Sequence, residues 1–570
     1  MKLHRQFLRL HARYGEAASA DTTLEEIGQL LECTSRNATN IIGAMSRNGW
    51  ISWEASRGRG RRSSLRFLVQ PEEIAVQSMM QAINRKDVTQ AIDQMRTYKG
   101  SSALQEHLQG WLLTYFGHHT ETFSDRQIDM LRLPIRQPLH TADPLYMNFL
   151  AEAFVSSNVF DGLVRRTERR DEILPAIAHA WETDGSRTKW TFYLRKEVLF
   201  HHGKVLTADD VVFSFERLIR SSRRTLYNFI YKQIASVRAL NPTTVRFELE
   251  EPNELFLPFL CTSRAAIVPK DLNQLGTLRF GTSPLGTGPF KVTEMNEGLC
   301  ALEVFSPHFQ GRAHLDRVEI VHVPWEAESA GSAGEQLSPF HVMHDSAASA
   351  RTWSRIHSDT TVRKFITCNT QKAGPLTDPT VRAHLFSCLS ESGSRKPRAS
   401  SRVRQPRDDR QSDMPLRIAT IPPYKSEADA LAAKLATYGY ACEVASVPPE
   451  EFKGPIRLAS DLILFSSYRD QDEQLRRFDL YMTISEHVDA HARIDIEIAL
   501  QRVRKEPDPS ARTFELDKIE RLLTKEHLLF VLSEKPVPTA YLPSVRGVTF
   551  NSQGWVNLRT IWFPPPGSTD

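Results

Sequence analysis

The sequence predicts a multi-domain α/β protein: a small basic unit of three helices and a β-hairpin at the amino end, then a much larger region of strands and helices. Three observations predict it. The first seventy residues carry eleven Lys or Arg against six Asp or Glu, a net +5, whereas the whole 570-residue chain is +4. Within that basic segment apolar residues repeat three times at helical spacing and then alternate twice as strands do. Beyond residue 415, "LRIATI", a helical stretch from Ser426 to about Tyr438 and "ACEVASV" form a β-α-β unit of the kind that builds a parallel sheet.

Leu3, Phe7, Leu10 and Tyr14 define the first helix, which Gly15 stops. In "DTTLEEIGQLL", Thr22 and Glu25 are spaced as a capping box, with Leu24, Ile27, Leu30 and Leu31 as the buried stripe. The third helix lies in "TSRNATNIIGAMSRNGW", with Thr34 or Ser35 as its cap and Ala38, Ile41, Ile42 and Met45 turned inward. Its other face carries Ser35, Arg36, Asn37, Thr39, Asn40 and Arg47, side chains that suit base edges and phosphates. "WISWEA" and "SLRFLV" follow as two strands around the loop that holds Arg57, Arg59, Arg61 and Arg62 with Gly58 and Gly60. An arginine run is usually only a solvated tip. Directly after a helix-turn-helix pattern it reads as a wing, where glycines allow close approach and each arginine replaces a counterion on a phosphodiester backbone. Residues 1–70 are therefore expected to be a winged helix-turn-helix that binds double-stranded DNA.

Residues 71–117 pattern as helix, and 71–130 is expected to be a helical connector. Short apolar strands, prolines and helices fill the rest. Residues 391–415 are poor in apolar side chains and read as a mobile loop.

Composition, 41% hydrophobic and 25% charged, is that of a globular chain able to bury more than one core. Six scattered cysteines without a C-x-x-C pair argue against a zinc ribbon or disulfide framework, and thiols are expected. "MKLHRQFLRLHARY" interrupts every apolar run with a basic residue, and no 18-residue apolar span occurs, so a cytoplasmic protein without a membrane partner is expected. His201 and His202 beside Asp209 and Asp210 lack a metal-ligand spacing, and Asp209 and Asp210 read instead as the first turn of a helix capped by Thr207. "GTGPF" has neither form of phosphate loop, and no nucleophile elbow is present. No enzyme activity and no cofactor are expected.

"LPAIAHAWETDGSRTKWTFYLRKEVLFHHGKVLTADDVVFSFERL" (174–218), "SPLGTGPFKV" (283–292) and "ITCNTQKAGPLTDPTVRAHL" (366–385) resemble the ordered motifs of the dipeptide- and oligopeptide-binding class of bacterial solute-binding proteins. The resemblance covers roughly residues 131–570 and implies a bilobal periplasmic-binding-protein-like α/β fold. That class is secreted, yet here it follows a winged helix. The combination, with Asp21 to Leu24, Asn48 to Trp50, Gly58 to Gly60 and the terminal "VRGVTFNSQGWVNLRTIWFPPP", resembles the SgrR-type transcriptional regulators. It implies a ligand-responsive regulator of promoter DNA, whose effector is a small solute such as a sugar, sugar phosphate or short peptide. The alternative is the solute receptor of an ABC transporter. Tyr146 and Trp325 are candidate ligand contacts, with core packing as the competing role for each. Oligomeric state, operator and effector identity are not legible.

Overall fold

The computed structural model describes residues 2–15, 19–56, 62–71, 73–75, 77–78, 115–123, 126–135, 138–167, 172–222, 225–272, 276–322, 341–342, 354–390, 415–452, 454–541, 545–550 and 555–564. Arg57, Arg59, Arg61, Trp325 and residues 391–414 lie outside them. The chain divides into two compact units: Met1–Leu139 with Asn296–Cys300 and Val318–Thr352, and His140–Met295 with Ala301–Arg317 and Trp353–Asp570.

In the first unit, α1 (Lys2–Tyr14), β1 (Ala20–Thr22), α2 (Leu24–Leu30), α3 (Ser35–Arg47), β2 (Ile51–Glu54) and β3 (Ser63–Phe67) follow in order. The three strands form an antiparallel sheet with β3 in the middle, and Trp53 faces Leu65 across β2 and β3. Phe7, Leu10, Ile27, Ala38, Ile42, Met45, Trp50 and Leu65 close one core beneath it. The capping box of α2 sits one residue later than Thr22 and Glu25 suggest. Thr23 is the cap and Glu26 its partner, because Thr22 is drawn into β1.

Helix is described again at 71, 73–75 and 77–78, but Gly117–Phe123 (β4) and Arg126–Ile135 (β5) are an antiparallel pair, so the helical reading of 71–130 fails at its end. Thr120, Thr122 and Ile128 favour that extended pairing. Buried Arg132 on β5 donates from Nε to Glu319 at 2.8 Å, tying in the segment that returns much later in the chain.

Two larger sheets dominate the described residues of the second unit. Strands Ile234–Asn241, Thr244–Leu249, Lys189–Leu194 and Ala178–Thr183 lie side by side in that order. Under them Phe215, on the helix Ala208–Arg220, meets Phe247 edge-on at 4.7 Å. In the other sheet the order is Leu529–Tyr541, Ser354–Cys368, Leu462–Arg469, Leu416–Thr420, Cys442–Ser446. Leu416–Thr420 and Cys442–Ser446 are parallel and joined by the helix Lys425–Ala436, as the β-α-β pattern predicts. The sheet as a whole is mixed, however, since Ser354–Cys368 runs antiparallel to both its neighbours. Three helices, Glu473–Ser485, Ala490–Lys505 and Pro509–Lys525, intervene before the last strand. They share a hydrophobic core with residues 145–267, where Phe229 stacks on Phe478 at 4.2 Å.

Candidate nucleic-acid interface and ligand domain

Thr34 begins α3: its Oγ1 accepts from the Asn37 amide at 3.3 Å, which satisfies one of the donors a helix start leaves open. Ala38, Ile41, Ile42 and Met45 then bury one face. Ser35, Arg36, Asn37, Thr39, Asn40 and Arg47 are exposed. The first five crowd the opening turns, where Thr39 also donates to the Ser35 carbonyl at 3.0 Å. Arg47 lies eleven residues beyond Arg36, on the same side but about 16 Å along the axis at 1.5 Å per residue. One helix end therefore offers an arginine and two amides together, and a second arginine marks its far end. Replacing Asn37 or Asn40 by alanine is expected to remove about 1 to 3 kcal/mol of discrimination at one base pair while sparing binding to unrelated duplexes. A panel of single-base operator variants measures this, and equal loss on every duplex would refute it.

Arg62 is placed where sequence reasoning did not put it. Its Nη2 donates to Glu26 Oε1 on α2 at 3.0 Å.

In the second unit, Tyr146 is half-buried with the Arg217 guanidinium 5.4 Å from its ring centre. Arg217 grips Asp143 through two bonds of 2.7 and 2.5 Å. Tyr146, Phe213, Arg217 and Arg220 line an open groove of about 390 Å³. Packing and groove thus share this aromatic ring.

The Gly-Thr-Gly turn is a tight structural joint. His201 Nδ1 accepts from the Gly286 amide at 3.2 Å and its Nε2–H donates to the Gly288 carbonyl at 3.0 Å, which commits both ring nitrogens and leaves no lone pair for a metal. Thr287 and His308 both donate to Asp161 Oδ2, at 3.1 and 3.2 Å. Burial pushes the Asp161 carboxyl up, but the His308 bond and charge more than reverse this, so it lies below its ordinary value. Asp210 accepts from the Thr207 amide at 2.8 Å and from its hydroxyl at 2.9 Å, the capping role expected of that stretch.

Burial drives the His201 imidazole down to about 4. The folded form thus prefers it neutral, so its contribution is complete above about pH 6.5 and fades as pH falls toward 4. The loss is up to about 3 kcal/mol from this group. Urea unfolding between pH 7 and 4 checks this, with His201→Gln expected to flatten the dependence.

Sequence reasoning missed a buried ionic cluster at 470–479. Arg476 Nη2 lies 3.0 Å from Asp470 Oδ2, Arg166 lies 3.7 Å from Asp472, and Asp479 accepts from the Tyr227 amide at 3.1 Å. Its one signal is the charge density of "YRDQDEQLRR", which in sequence looks like a solvated turn.

Comparison with known proteins adds to this geometry. Residues 2–119 match the model of the sugar transport-related sRNA regulator N-terminal domain, and residues 172–384 match that of bacterial extracellular solute-binding proteins, family 5 middle. The HTH-type transcriptional regulator SgrR of Yersinia enterocolitica is 30% identical over 59% of this chain and 57% of its own length. That of Pectobacterium atrosepticum is 30% identical over 57% and 55%. The match thus spans a little over half of those regulators. The uncharacterized protein YhjP of Bacillus subtilis is 26% identical over 97% of both chains. Among solved structures, the periplasmic binding protein DppA of Helicobacter pylori, in complex with the peptide STSA, superposes with a TM-score of 0.60 at 18% identity, covering 76% of this chain and 98% of that one. The oligopeptide-binding protein AppA of Bacillus subtilis gives 0.56 at 17%, covering 76% and 99%. The larger part of the chain has the periplasmic-binding-protein fold. The named families are a regulator and a solute-binding protein, neither an enzyme. Among the described residues no helix is long and apolar enough to cross a membrane.

Proposed function

We propose that the chain is a ligand-responsive DNA-binding regulator of the SgrR type that catalyses no reaction, because segments similar to the SgrR amino-terminal domain and to a family 5 solute-binding domain stand in one polypeptide. The union of those two domains is the observation that carries the reading. Ser35, Arg36, Asn37, Thr39 and Asn40 enter the major groove, and Arg47 and the wing arginines Arg57, Arg59 and Arg61 meet phosphates. A sugar, sugar phosphate or short peptide occupies the solute-binding fold, with Tyr146 and Trp325 as contacts. The work is done in the cytoplasm. The effector acts only through its differential affinity for closed and open forms, and a coupling of about 1 to 3 kcal/mol changes operator affinity about 5- to 150-fold.

The test uses the full chain. Fluorescence anisotropy on duplex DNA at low salt reads binding, and thermal shift against sugars, sugar phosphates and short peptides reads the effector, which must raise the melting temperature by binding the folded form. The same compound must then alter DNA affinity. A chain that gains stability from a solute yet ignores duplex DNA is a transporter-type receptor instead.

A further inference from the structure

The carboxylate of Glu26 is held from three sides. Its Oε2 accepts from the Thr22 hydroxyl at 2.9 Å and from the Thr23 amide at 3.3 Å, while Oε1 receives Arg62 Nη2 at 3.0 Å. Two of these donors belong to β1 and the start of α2, and the third to the residue that leads into β3 from the arginine loop. An isolated exposed ion pair contributes little, largely because two long side chains must be ordered to make it. Here the capping box has already ordered the glutamate. Its carboxyl lies below the ordinary value, first through the Thr22 hydroxyl bond, against some desolvation, with Thr23 and Arg62 adding to the fall.

We propose that Glu26 is a positioning residue that retains Arg62 on the protein, so that Arg62 anchors the base of the wing and is withheld from the DNA phosphates. This rests on the reading of the amino-terminal unit as a DNA binder and refines it. Of the four loop arginines counted from the sequence, three carry charge to the duplex. Arg62 instead cancels Glu26, a charge that would otherwise repel the approaching polyanion. Were Arg62 to leave for a phosphate, that charge would be uncovered, so the exchange gains less than a free arginine would.

The salt dependence of binding separates a phosphate contact from a structural one, because each contact adds about 0.9 to the slope of log K against log salt. Anisotropy titrations of the full chain on one duplex, from 50 to 300 mM salt, compare wild type, Arg62→Ala, Glu26→Gln and the double variant. Glutamine keeps an oxygen for Thr22 and Thr23 but loses the charge that attracts the guanidinium. Glu26→Gln is expected to steepen the slope by about 0.9 and tighten binding roughly fivefold to tenfold near 0.1 M salt. Arg62→Ala is expected to leave the slope unchanged but to weaken binding modestly, since it uncovers the Glu26 charge, and the double variant to keep that slope with near wild-type affinity. An Arg62→Ala slope lower by about 0.9, or a Glu26→Gln slope equal to wild type with its melting temperature intact, overturns the proposal. Should Glu26→Gln unfold, Arg62→Ala alone decides, since it removes only an exposed surface side chain. A wild-type chain that ignores duplex DNA overturns the regulator reading, and this proposal with it.

Discussion

Alanine at Arg57, Arg59 and Arg61 together, with Arg62 left in place, will weaken the full chain on every duplex by about two to three orders of magnitude near 0.1 M salt. Three phosphate contacts release close to three counterions, so the slope of log K against log salt should fall by about 2.7. The three residues lie outside the described segments, and the expectation comes from what flanks them. β2 and β3 are paired in register from Ile51 with Phe67 to Glu54 with Ser64, so the intervening chain is a hairpin connection. In the same unit the opening of α3 exposes Arg36, Asn37 and Asn40. Sequence preference should survive, because phosphates carry no base identity. An unchanged slope would remove the wing from the interface.

Gly286→Ala should be severely damaging to the larger unit. A Cβ there would stand 1.9 Å from the Val159 carbonyl oxygen and 2.7 Å from Phe160 Cδ1. Backbone cannot rotate aside as a flexible side chain does, so the turn must shift, and with it the bonds that Gly286 and Gly288 make to His201 and that Thr287 makes to Asp161. The expected cost is on the order of 4 kcal/mol, in the range reserved for severe overpacking coupled to broken buried bonds. At 2 to 4 °C per kcal/mol this lowers the melting temperature by roughly 10 °C. Gly185→Ala, where nothing lies within 4 Å of the new Cβ, is the control and should melt as wild type does. Equal melting of the two variants would show that the turn tolerates displacement.

The legible parts were those governed by local rules. Leu3, Phe7, Leu10 and Tyr14 report a helix by spacing alone, and so do the inward residues of α3, all four of which are buried. The capping box slipped by one because two adjacent threonines, Thr22 and Thr23, each have an acid three residues on, and only the pairing of β1 with β3 decides between them. The end of the connector was misread because β4 is made a strand by its partner β5, a tertiary fact. Mixed strand direction in the second sheet was hidden for the same reason: Ser354–Cys368 takes its neighbours from positions 94 or more residues away. Arg62 was counted with its loop because nothing local to the loop announces Glu26. The charges at 470–479 looked exposed because burial of matched ions depends on neighbours such as Arg166 and Tyr227, far away in the chain.

The central place of β3 has a consequence for how such a chain can diversify. Its ladder is completed on both sides by β1 and β2, so its seating does not depend on the length of the link from Glu54 to Ser63. Insertions or deletions in that link would lengthen or shorten the reach toward a neighbouring groove without unzipping the fold. Descendants of one ancestor can therefore retune the strength and salt dependence of duplex binding there while the rest of the domain stays unaltered.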